Sequence, residues 1–543
     1  MFALGQLHLL AGQPEKSEGE IKKALELDPE NADALVSLAA IQSTGKRMDE
    51  VEQTYERLSA LPGRTYRSLH ALFVFKMGKT DAAVAELEKL VKSDPDDRTV
   101  RSRLVAVYFE LNKLGAAENL LNAVLKHNPK DSDALLQRSV LYMKLGKAGG
   151  AQNDLNTMLQ LNPDSGEAHL GLAAVDRANG LKRSEEQELN EALRLNPALL
   201  QARLTLARNF LLTNQRKYAL DLLKQTPESQ KRTAGVIIEL NWAWLIDGNF
   251  TEVRSNLDLV LPTNRIPEFV LQDAILKMEQ RDYVGARASA DEVLGRNPED
   301  VRAAQVAADS YAAQKDITKG LQRLVELANG HPKSAPLHGL LGQWYLRAGK
   351  PAEARQAFEA AKAADPKYLY GDLMLADLDL RERQVDAARQ RLTGLIAADP
   401  KNVPAMLRLA SLDGESGDQV SAIARYRAVL DIDSSNLVAL NNLAYVLATG
   451  DPDAAWQYAQ KATETAPDNP AVQDTLGWVY YRKGMYSAAT RYLKKAVSKD
   501  PTPRRQFHLA MSYLKSGNEA IGRSMLQGAL LKDPNLAKTE RGW

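Results

Sequence analysis

The sequence predicts an all-α protein built from stacked helix pairs, and three observations support this prediction. The 543-residue chain is 44% hydrophobic but only 6% aromatic, as is typical of proteins rich in alanine- and leucine-containing helices. Prolines recur at intervals of 33 or 34 residues over most of its length. Between them, apolar residues follow the three- and four-residue spacing of amphipathic helices. Units of this kind bury their apolar faces only by stacking on their neighbours.

The prolines mark the ends of the predicted units, because proline cannot donate the next helical hydrogen bond and clashes with the preceding turn. They form two regular series, Pro29, Pro62, Pro95, Pro129, Pro163 and Pro197, then Pro298, Pro332, Pro366, Pro400, Pro467, Pro501 and Pro534, with Ser434 in the one open slot. The spacing between the two series is irregular, with Pro227 early and Pro262 late. We therefore predict an N-terminal array over 1–197, irregular repeat-like units over 198–297 and a C-terminal array over 298–543.

Each unit contains two helices with small residues where they cross. In the unit that ends at Pro366, Gly342 lies on the apolar face of the first helix, Gly349 breaks the chain, and Ala354 lies on the second helix. Gly477 holds the position of Gly342 in a later unit. We expect both of these glycines to be buried at helix crossings, where only a small residue lets two backbones approach.

Two tryptophans in the irregular middle give a further expectation. Trp242 and Trp244 alternate along the chain and do not share one helical stripe. We expect one to face the core and the other to be more exposed.

These units resemble the tetratricopeptide repeat (TPR), a 34-residue helix–turn–helix with small residues at two fixed positions, a bulky apolar residue in each helix and a terminal proline. The resemblance implies an all-α, right-handed superhelical solenoid of about sixteen units over essentially the whole chain. The first unit, with Gly5 and Gly12 in register, begins part-way along a helix and has no polar cap. We therefore expect a natural N-terminal portion, with any targeting sequence, to be missing.

A search for catalytic chemistry gives a prediction of no enzyme, no cofactor and no metal. Phosphate-binding loops, zinc-protease motifs, nucleophile elbows and dinucleotide fingerprints are absent from the sequence, and there is no cysteine. The seven histidines are scattered. Asp372, Asp377, Asp379 and Glu382 form an acidic segment that is interpreted as a charged helix face rather than as paired catalytic carboxylates.

The resemblance also implies a binding surface, because the first helices of successive TPR units line a concave groove. Carrying the family's ligand-facing positions onto the C-terminal units gives eight candidate partner-binding residues: Asn441, Tyr445, Asp474, Trp478, Tyr481, Arg482, Phe507 and Lys515. Exposed aromatic and arginine side chains are frequent binding hot spots. The alternative interpretation is that Trp478 and Tyr481 pack against the next helix pair.

Charge is unevenly spread, although the formal net charge is only +1. Residues 476–523 contain ten basic and two acidic residues, a net +8, whereas residues 11–60 contain eleven acidic and six basic residues, a net −5. The basic end favours an acidic peptide, an anionic polysaccharide or a lipid surface. Nucleic acid is the least favoured partner, because no basic–aromatic stacking motif recurs along the groove.

The C-terminal phrases Leu440–Tyr445, Thr475–Gly484 and Phe507–Met511 are particularly similar to long bacterial cell-envelope TPR proteins encoded with exopolysaccharide and exosortase (PEP-CTERM) systems. This resemblance implies an exported scaffold in the envelope or periplasm, with the cytoplasm as the alternative. Other functions stay open: an anionic-polymer-binding module, or the regulatory repeats of an enzyme such as a glycosyltransferase. The last is disfavoured because only Asn442 fills the asparagine position of that class.

Overall fold

The computed structural model describes residues 1–536 and consists almost entirely of helices. Those residues form 32 α-helices and one 3-10 helix, Glu228–Gln230, with no β-strand among them. Thirty-two helices are the number that about sixteen two-helix repeats require, so the all-α repeat prediction is confirmed. The chain forms two compact units, one from Met1 to Asp247 and the other from Gly248 onward.

The first unit contains fifteen α-helices, in which first and second helices of the repeats alternate. They are α1 (Phe2–Leu10), α2 (Pro14–Leu27), α3 (Ala32–Thr44), α4 (Met48–Ser59), α5 (Leu69–Lys76), α6 (Thr80–Ser93), α7 (Arg98–Glu110), α8 (Leu114–His127), α9 (Ser132–Lys144), α10 (Ala148–Leu161), α11 (Gly166–Asn179), α12 (Lys182–Leu195), α13 (Leu200–Leu212), α14 (Arg216–Lys224) and α15 (Ala234–Asp247).

The second unit contains the other seventeen α-helices of the described residues. They are α16 (Phe250–Val260), α17 (Pro267–Glu279), α18 (Tyr283–Arg296), α19 (Val301–Ala313), α20 (Ile317–Gly330), α21 (Ala335–Arg347), α22 (Pro351–Ala364), α23 (Leu369–Arg381), α24 (Val385–Ala398), α25 (Val403–Ser416), α26 (Gln419–Ile432), α27 (Leu437–Leu447), α28 (Pro452–Thr465), α29 (Pro470–Arg482), α30 (Tyr486–Lys499), α31 (Pro503–Lys515) and α32 (Glu519–Lys532).

The turn inside a helix pair usually contains one residue in the left-handed region of backbone space, and the turn between α27 and α28 is an exception. Glycine adopts that conformation without strain, and Gly146 and Gly349 do so with φ of 70° and 72°. Six repeats place another residue there, namely Lys46, Asn112, Asn214, Arg281, Lys315 and Arg383. The glycine at position 349 therefore meets the left-handed conformation that the tight turn requires.

The turn between helix pairs combines proline with a polar cap. After α6 ends, Asp94 and Pro95 lead to Asp97, whose carboxylate accepts hydrogen bonds from the backbone N–H groups of Thr99 and Val100 at the start of α7, both at 3.1 Å. Such a cap satisfies helix-end donors that have no partner within the helix. The same arrangement recurs after Pro400, where Asn402 caps α25, and it explains why polar residues follow the prolines.

The two crossing glycines are confirmed as buried contacts. A Cβ atom at Gly342 would collide with the ring of Phe358 on α22. At Gly477, it would lie 2.6 Å from Cγ of Leu493 and 3.1 Å from a backbone nitrogen of α30. The helices of each pair therefore approach more closely here than any other residue would allow.

The expectation for the two tryptophans of α15 is wrong. Trp242 and Trp244 are both partly buried, and Asn241 and Ala243 are the buried residues of this turn. In a helix, positions 242 and 244 lie about 100° to either side of position 243. Both rings therefore flank the buried stripe of α15, which makes neither of them a core residue.

Candidate functional site

A polar cleft in the second unit lies where α27, α29 and α31 are neighbours. Its volume is about 380 Å³, and its walls are Asn441, Asn442, Tyr445, Ala471, Asp474, Thr475, Thr502, Pro503, Arg504, Arg505, Asp533 and Leu536. These helices are the first helices of successive repeats, so the cleft is a groove between them. Three of the eight predicted residues, Asn441, Tyr445 and Asp474, line it.

Asn441 and Asn442 give one wall of the cleft several hydrogen-bonding groups. The side-chain amide of Asn441 donates to Oδ1 of Asn442 at 3.2 Å, and Asn442 in turn donates to the hydroxyl of Tyr426 at 3.3 Å. Oδ1 of Asn441 has no hydrogen-bond partner within residues 1–536. This oxygen is also buried, so a ligand could reach it only if the Asn441 side chain turned toward the cleft.

Tyr445, Arg504 and Arg505 add an aromatic ring and positive charge to the cleft. The guanidinium of Arg504 lies 6.0 Å from the centre of the Tyr445 ring, within cation–π distance. Arg505 is bonded to Asp500 at the turn that precedes α31. The eight predicted residues do not include either arginine, although the run of basic residues contained both.

Asp474, which lines the cleft, forms a buried pair with His508, which does not line it. Nδ1 of His508 lies 3.0 Å from Oδ2 and 3.1 Å from Oδ1 of Asp474, and since a carboxylate can only accept, the ring donates. His508 is 0% exposed and Asp474 7%. The pair joins α29 to α31. Sequence reasoning missed His508, because nothing in its local pattern distinguishes it from the other scattered histidines.

The expectation that Trp478 and Tyr481 present exposed aromatic surface is wrong. Trp478 is 3% exposed and Tyr481 is 7% exposed, and burial raises the pKa of the Tyr481 hydroxyl. The rings of Trp478 and Tyr481 stack with their centres 4.8 Å apart, and Trp478 also stacks on His508 with ring centres 4.2 Å apart. The neighbouring repeat covers the two aromatic rings, so the packing alternative describes them.

The other predicted residues lie apart from the cleft lining. Phe507 is 1% exposed, with its ring edge-on to His508 at 6.2 Å between ring centres. Arg482 is partly buried and Lys515 is exposed. The cleft therefore contains an asparagine, a tyrosine and an aspartate from the predicted set, and it adds Asn442, Thr475 and two arginines.

The carboxylates of the acidic segment at α23 are held in ion pairs with arginine and lysine side chains. Asp379 is 1% exposed and accepts from Arg355 at 2.7 Å and from Arg391 at 2.8 Å. The same triad recurs in the next repeat, where buried Asp413 lies between Arg389 and Arg425. These carboxylates connect neighbouring repeats.

Residues 1–536 contain neither a cluster of metal-binding side chains nor a helix suited to cross a membrane. No group of three or more histidine, aspartate or glutamate side chains in that range is placed to hold a metal ion. No α-helix there combines the length and the apolar character that crossing a bilayer would need.

The chain is similar to known proteins in its repeat segments. Two family models, each described as a tetratricopeptide repeat, match residues 74–138, 345–412 and 446–512 and residues 2–64, 271–332 and 306–368. The TPR repeat-containing protein PA4667 of Pseudomonas aeruginosa is 37% identical over 76 residues, which are 13% of this chain and 12% of that protein. The chain thus matches about an eighth of the length of this curated relative.

Solved structures also align with most of the chain. The APC/C hetero-tetramer Cut9–Hcn1 is 17% identical, with a TM-score of 0.43, over 87% of this chain and 94% of that chain. Yeast Tom70 is 17% identical, with a TM-score of 0.38, over 87% of this chain and 98% of that chain.

The matched segments together cover more than half of the sequence, and the helix pairs, turn residues and crossing glycines are those of the repeat. The chain belongs to the tetratricopeptide repeat family, whose helix arrays generally serve as scaffolds for protein interaction.

Proposed function

We propose that this chain is a non-catalytic scaffold that binds an extended segment of a partner protein in the cleft between α27, α29 and α31. The observation that carries the proposal is the composition of the cleft: amide, hydroxyl, carboxylate and guanidinium groups surround a space of about 380 Å³. An extended peptide exposes backbone donors and acceptors on both sides, and mixed polar walls of this kind match them.

Burial of the Asp474–His508 pair favours binding over catalysis. His508 is fully covered, stacked on Trp478 and held by Asp474. A general base must come within hydrogen-bond reach of the proton that it removes. We propose that the pair fixes the spacing of α29 and α31 and thereby shapes the cleft.

We further propose that the scaffold operates in a bacterial cell-envelope pathway such as exopolysaccharide assembly or export, and that its compartment is the periplasm. The support is the similarity of the C-terminal phrases, including Leu440–Tyr445 and Thr475–Gly484, to envelope TPR proteins. The basic character of residues 476–523 would attract an acidic partner to this end of the chain.

The test is a pull-down from the native host with three forms of the chain: wild type, a cleft variant with Asn441→Ala and Tyr445→Ala, and a control with Asn190→Ala and Tyr218→Ala. The control residues are exposed in the first unit. Because a hot-spot aromatic typically costs 2 kcal/mol or more on truncation, the cleft variant should bind the partner about thirtyfold more weakly.

The control variant should recover the same partners as the wild type, and high salt should weaken recovery by both, since screening is strong beyond about 8 Å at physiological ionic strength. Equal recovery by the cleft variant and the wild type would place the partner site elsewhere. If high salt does not reduce the amount of partner that any of the three forms recovers, exposed charges do not contribute to partner binding.

A further inference from the structure

The exposed side of α30 carries basic residues and no acidic residue. Arg491, Lys494 and Lys495 are all exposed, and α30 contains no acidic residue. Residues three and four apart on a helix lie on one side of it, so the three cations share a surface. We call Arg491, Lys494 and Lys495 the α30 cation face.

Of the four basic residues of α30, only Lys499 is in an ion pair within residues 1–536. Within that range, no carboxylate lies within ion-pair distance of the α30 cation face. Cations on either side of this face are paired, Lys483 with Asp453 and Lys499 with Asp468. Lys495 helps to lower the pKa of Asp468, but the hydrogen bond from Lys499 is the larger cause.

Aromatic rings hold these cations in place of carboxylates. The guanidinium of Arg491 lies 4.8 Å from the centre of the Tyr492 ring, and Nζ of Lys494 lies 5.3 Å from that of Tyr513. Nζ of Lys495 lies 5.9 Å from the Tyr492 ring. A ring orders a cation without cancelling its charge. The positive field of the α30 cation face therefore extends into solvent.

The α30 cation face accounts for part of the net charge of +8 in residues 476–523. Within the described residues, carboxylates pair with Lys483, Lys499, Arg505 and Arg523 of this segment. The three cations of the α30 face have no such partner. This face lies on a second helix of a repeat, apart from the residues that line the cleft.

We propose that the α30 cation face docks an acidic, extended segment of a partner protein, a second contact that rests on the scaffold function proposed above. Charge complementarity requires an anionic ligand. A bilayer is disfavoured because no large hydrophobic side chain of α30 is exposed for insertion. An acidic glycan is disfavoured because the tyrosine rings that could stack on sugars are already covered by the cations.

The experiment uses the full chain and a fluorescent twelve-residue peptide of alternating glutamate and glycine, with its glutamine analogue as the neutral peptide. Fluorescence anisotropy at low salt compares the wild type with the variant Arg491→Ser, Lys494→Ser and Lys495→Ser. The matched control is Lys89→Ser, Lys92→Ser and Lys126→Ser, which removes the same charge from exposed sites of the first unit. The cleft variant, Asn441→Ala with Tyr445→Ala, is measured alongside.

The α30 variant should bind the acidic peptide about tenfold more weakly, because it loses three exposed ion pairs with the peptide. The control and the cleft variant should change the affinity less than about twofold, and the glutamine peptide should not bind. The proposal is overturned if the α30 variant and the lysine control lose affinity for the acidic peptide equally, or if the wild type does not bind this peptide.

Two further ligands distinguish a protein segment from a lipid surface and from an anionic glycan. Phosphatidylserine vesicles and alginate are tested with the same variants, and stronger, α30-dependent binding to either one overturns the choice of a protein segment. The cleft proposal fails independently, because it depends on Asn441 and Tyr445 in the pull-down and not on the α30 cation face.

Discussion

The indole of Trp478 stacks on the imidazole of His508 with ring centres 4.2 Å apart and an angle of 22° between the planes. Trp478 belongs to α29 and His508 to α31, so this contact joins two successive repeats. Trp478 is therefore part of the packed core between α29 and α31, with only 3% of its surface exposed.

Trp478→Ala should for this reason act on stability. Removing a buried tryptophan leaves a cavity and typically costs about 3–5 kcal/mol. Thermal unfolding followed by circular dichroism should show a lower midpoint for this variant. Tyr445→Ala, which truncates a partly buried ring at the cleft, should lower it much less. An unchanged midpoint for Trp478→Ala would show that the ring is not packed as described.

The crossing glycines give a second test with an internal control. Gly342→Leu and Gly477→Leu should each destabilise the chain by about 1–3 kcal/mol through overpacking. Gly394 lies in a helix with open space around it. Gly394→Ala should stabilise the chain by about 0.5–1 kcal/mol, because alanine has the better helix propensity. Chemical denaturation measures all three, and loss of this contrast in sign would refute the assigned register.

The aspartates that are each held by two arginines give a third prediction. Asp413 is buried between Arg389 and Arg425, and Asp413→Ala leaves two cations without their carboxylate. Since both arginines reach solvent, we expect a cost of about 2–3 kcal/mol, less than the cost of breaking a fully buried pair. Asp377→Ala, which breaks the more exposed pair with Arg408, should cost under about 1 kcal/mol. Equal effects in denaturation experiments would show that burial of the carboxylate does not matter.

An ion pair in the first unit gives a pH dependence. A hydrogen bond from Arg47, 3.0 Å from Oε1 of Glu18, is the main cause that lowers the pKa of Glu18 from 4.5 to about 2. A lowered carboxyl pKa stabilises the fold above the ordinary value, and that stabilisation is lost as pH falls from about 4.5 to about 2. Glu18→Gln should therefore have a lower unfolding midpoint than wild type at neutral pH, and the difference should vanish near pH 2. A difference that is constant with pH would exclude this linkage.

The sequence predicted the repeats well because their determinants are local. Proline spacing, turn glycines such as Gly349 and crossing glycines such as Gly342 each constrain the backbone through their own geometry. The positions of Asn441 and Asp474 in the cleft likewise followed from the repeat register, which fixes the side of the helix on which a residue lies.

The burial of Trp478 and Tyr481 could not be predicted in the same way. Register gives the direction of a side chain, but exposure depends on the residue that the next repeat places against it. Here that residue is His508, whose own role depends on Asp474 from the preceding repeat. The same reason explains Asp379: its arginine partners lie on α22 and α24, and only the packed structure brings them together.

The most direct test of the central claim is site-specific photocrosslinking to the purified partner that the pull-down identifies. A photoreactive phenylalanine derivative replaces Tyr445, which lines the cleft, or Tyr218, which is exposed in the first unit. The account predicts crosslinks from position 445 to one continuous segment of the partner, and none from position 218. Crosslinks from position 218 alone, or an absence of crosslinks at position 445 while the partner remains bound, would contradict it.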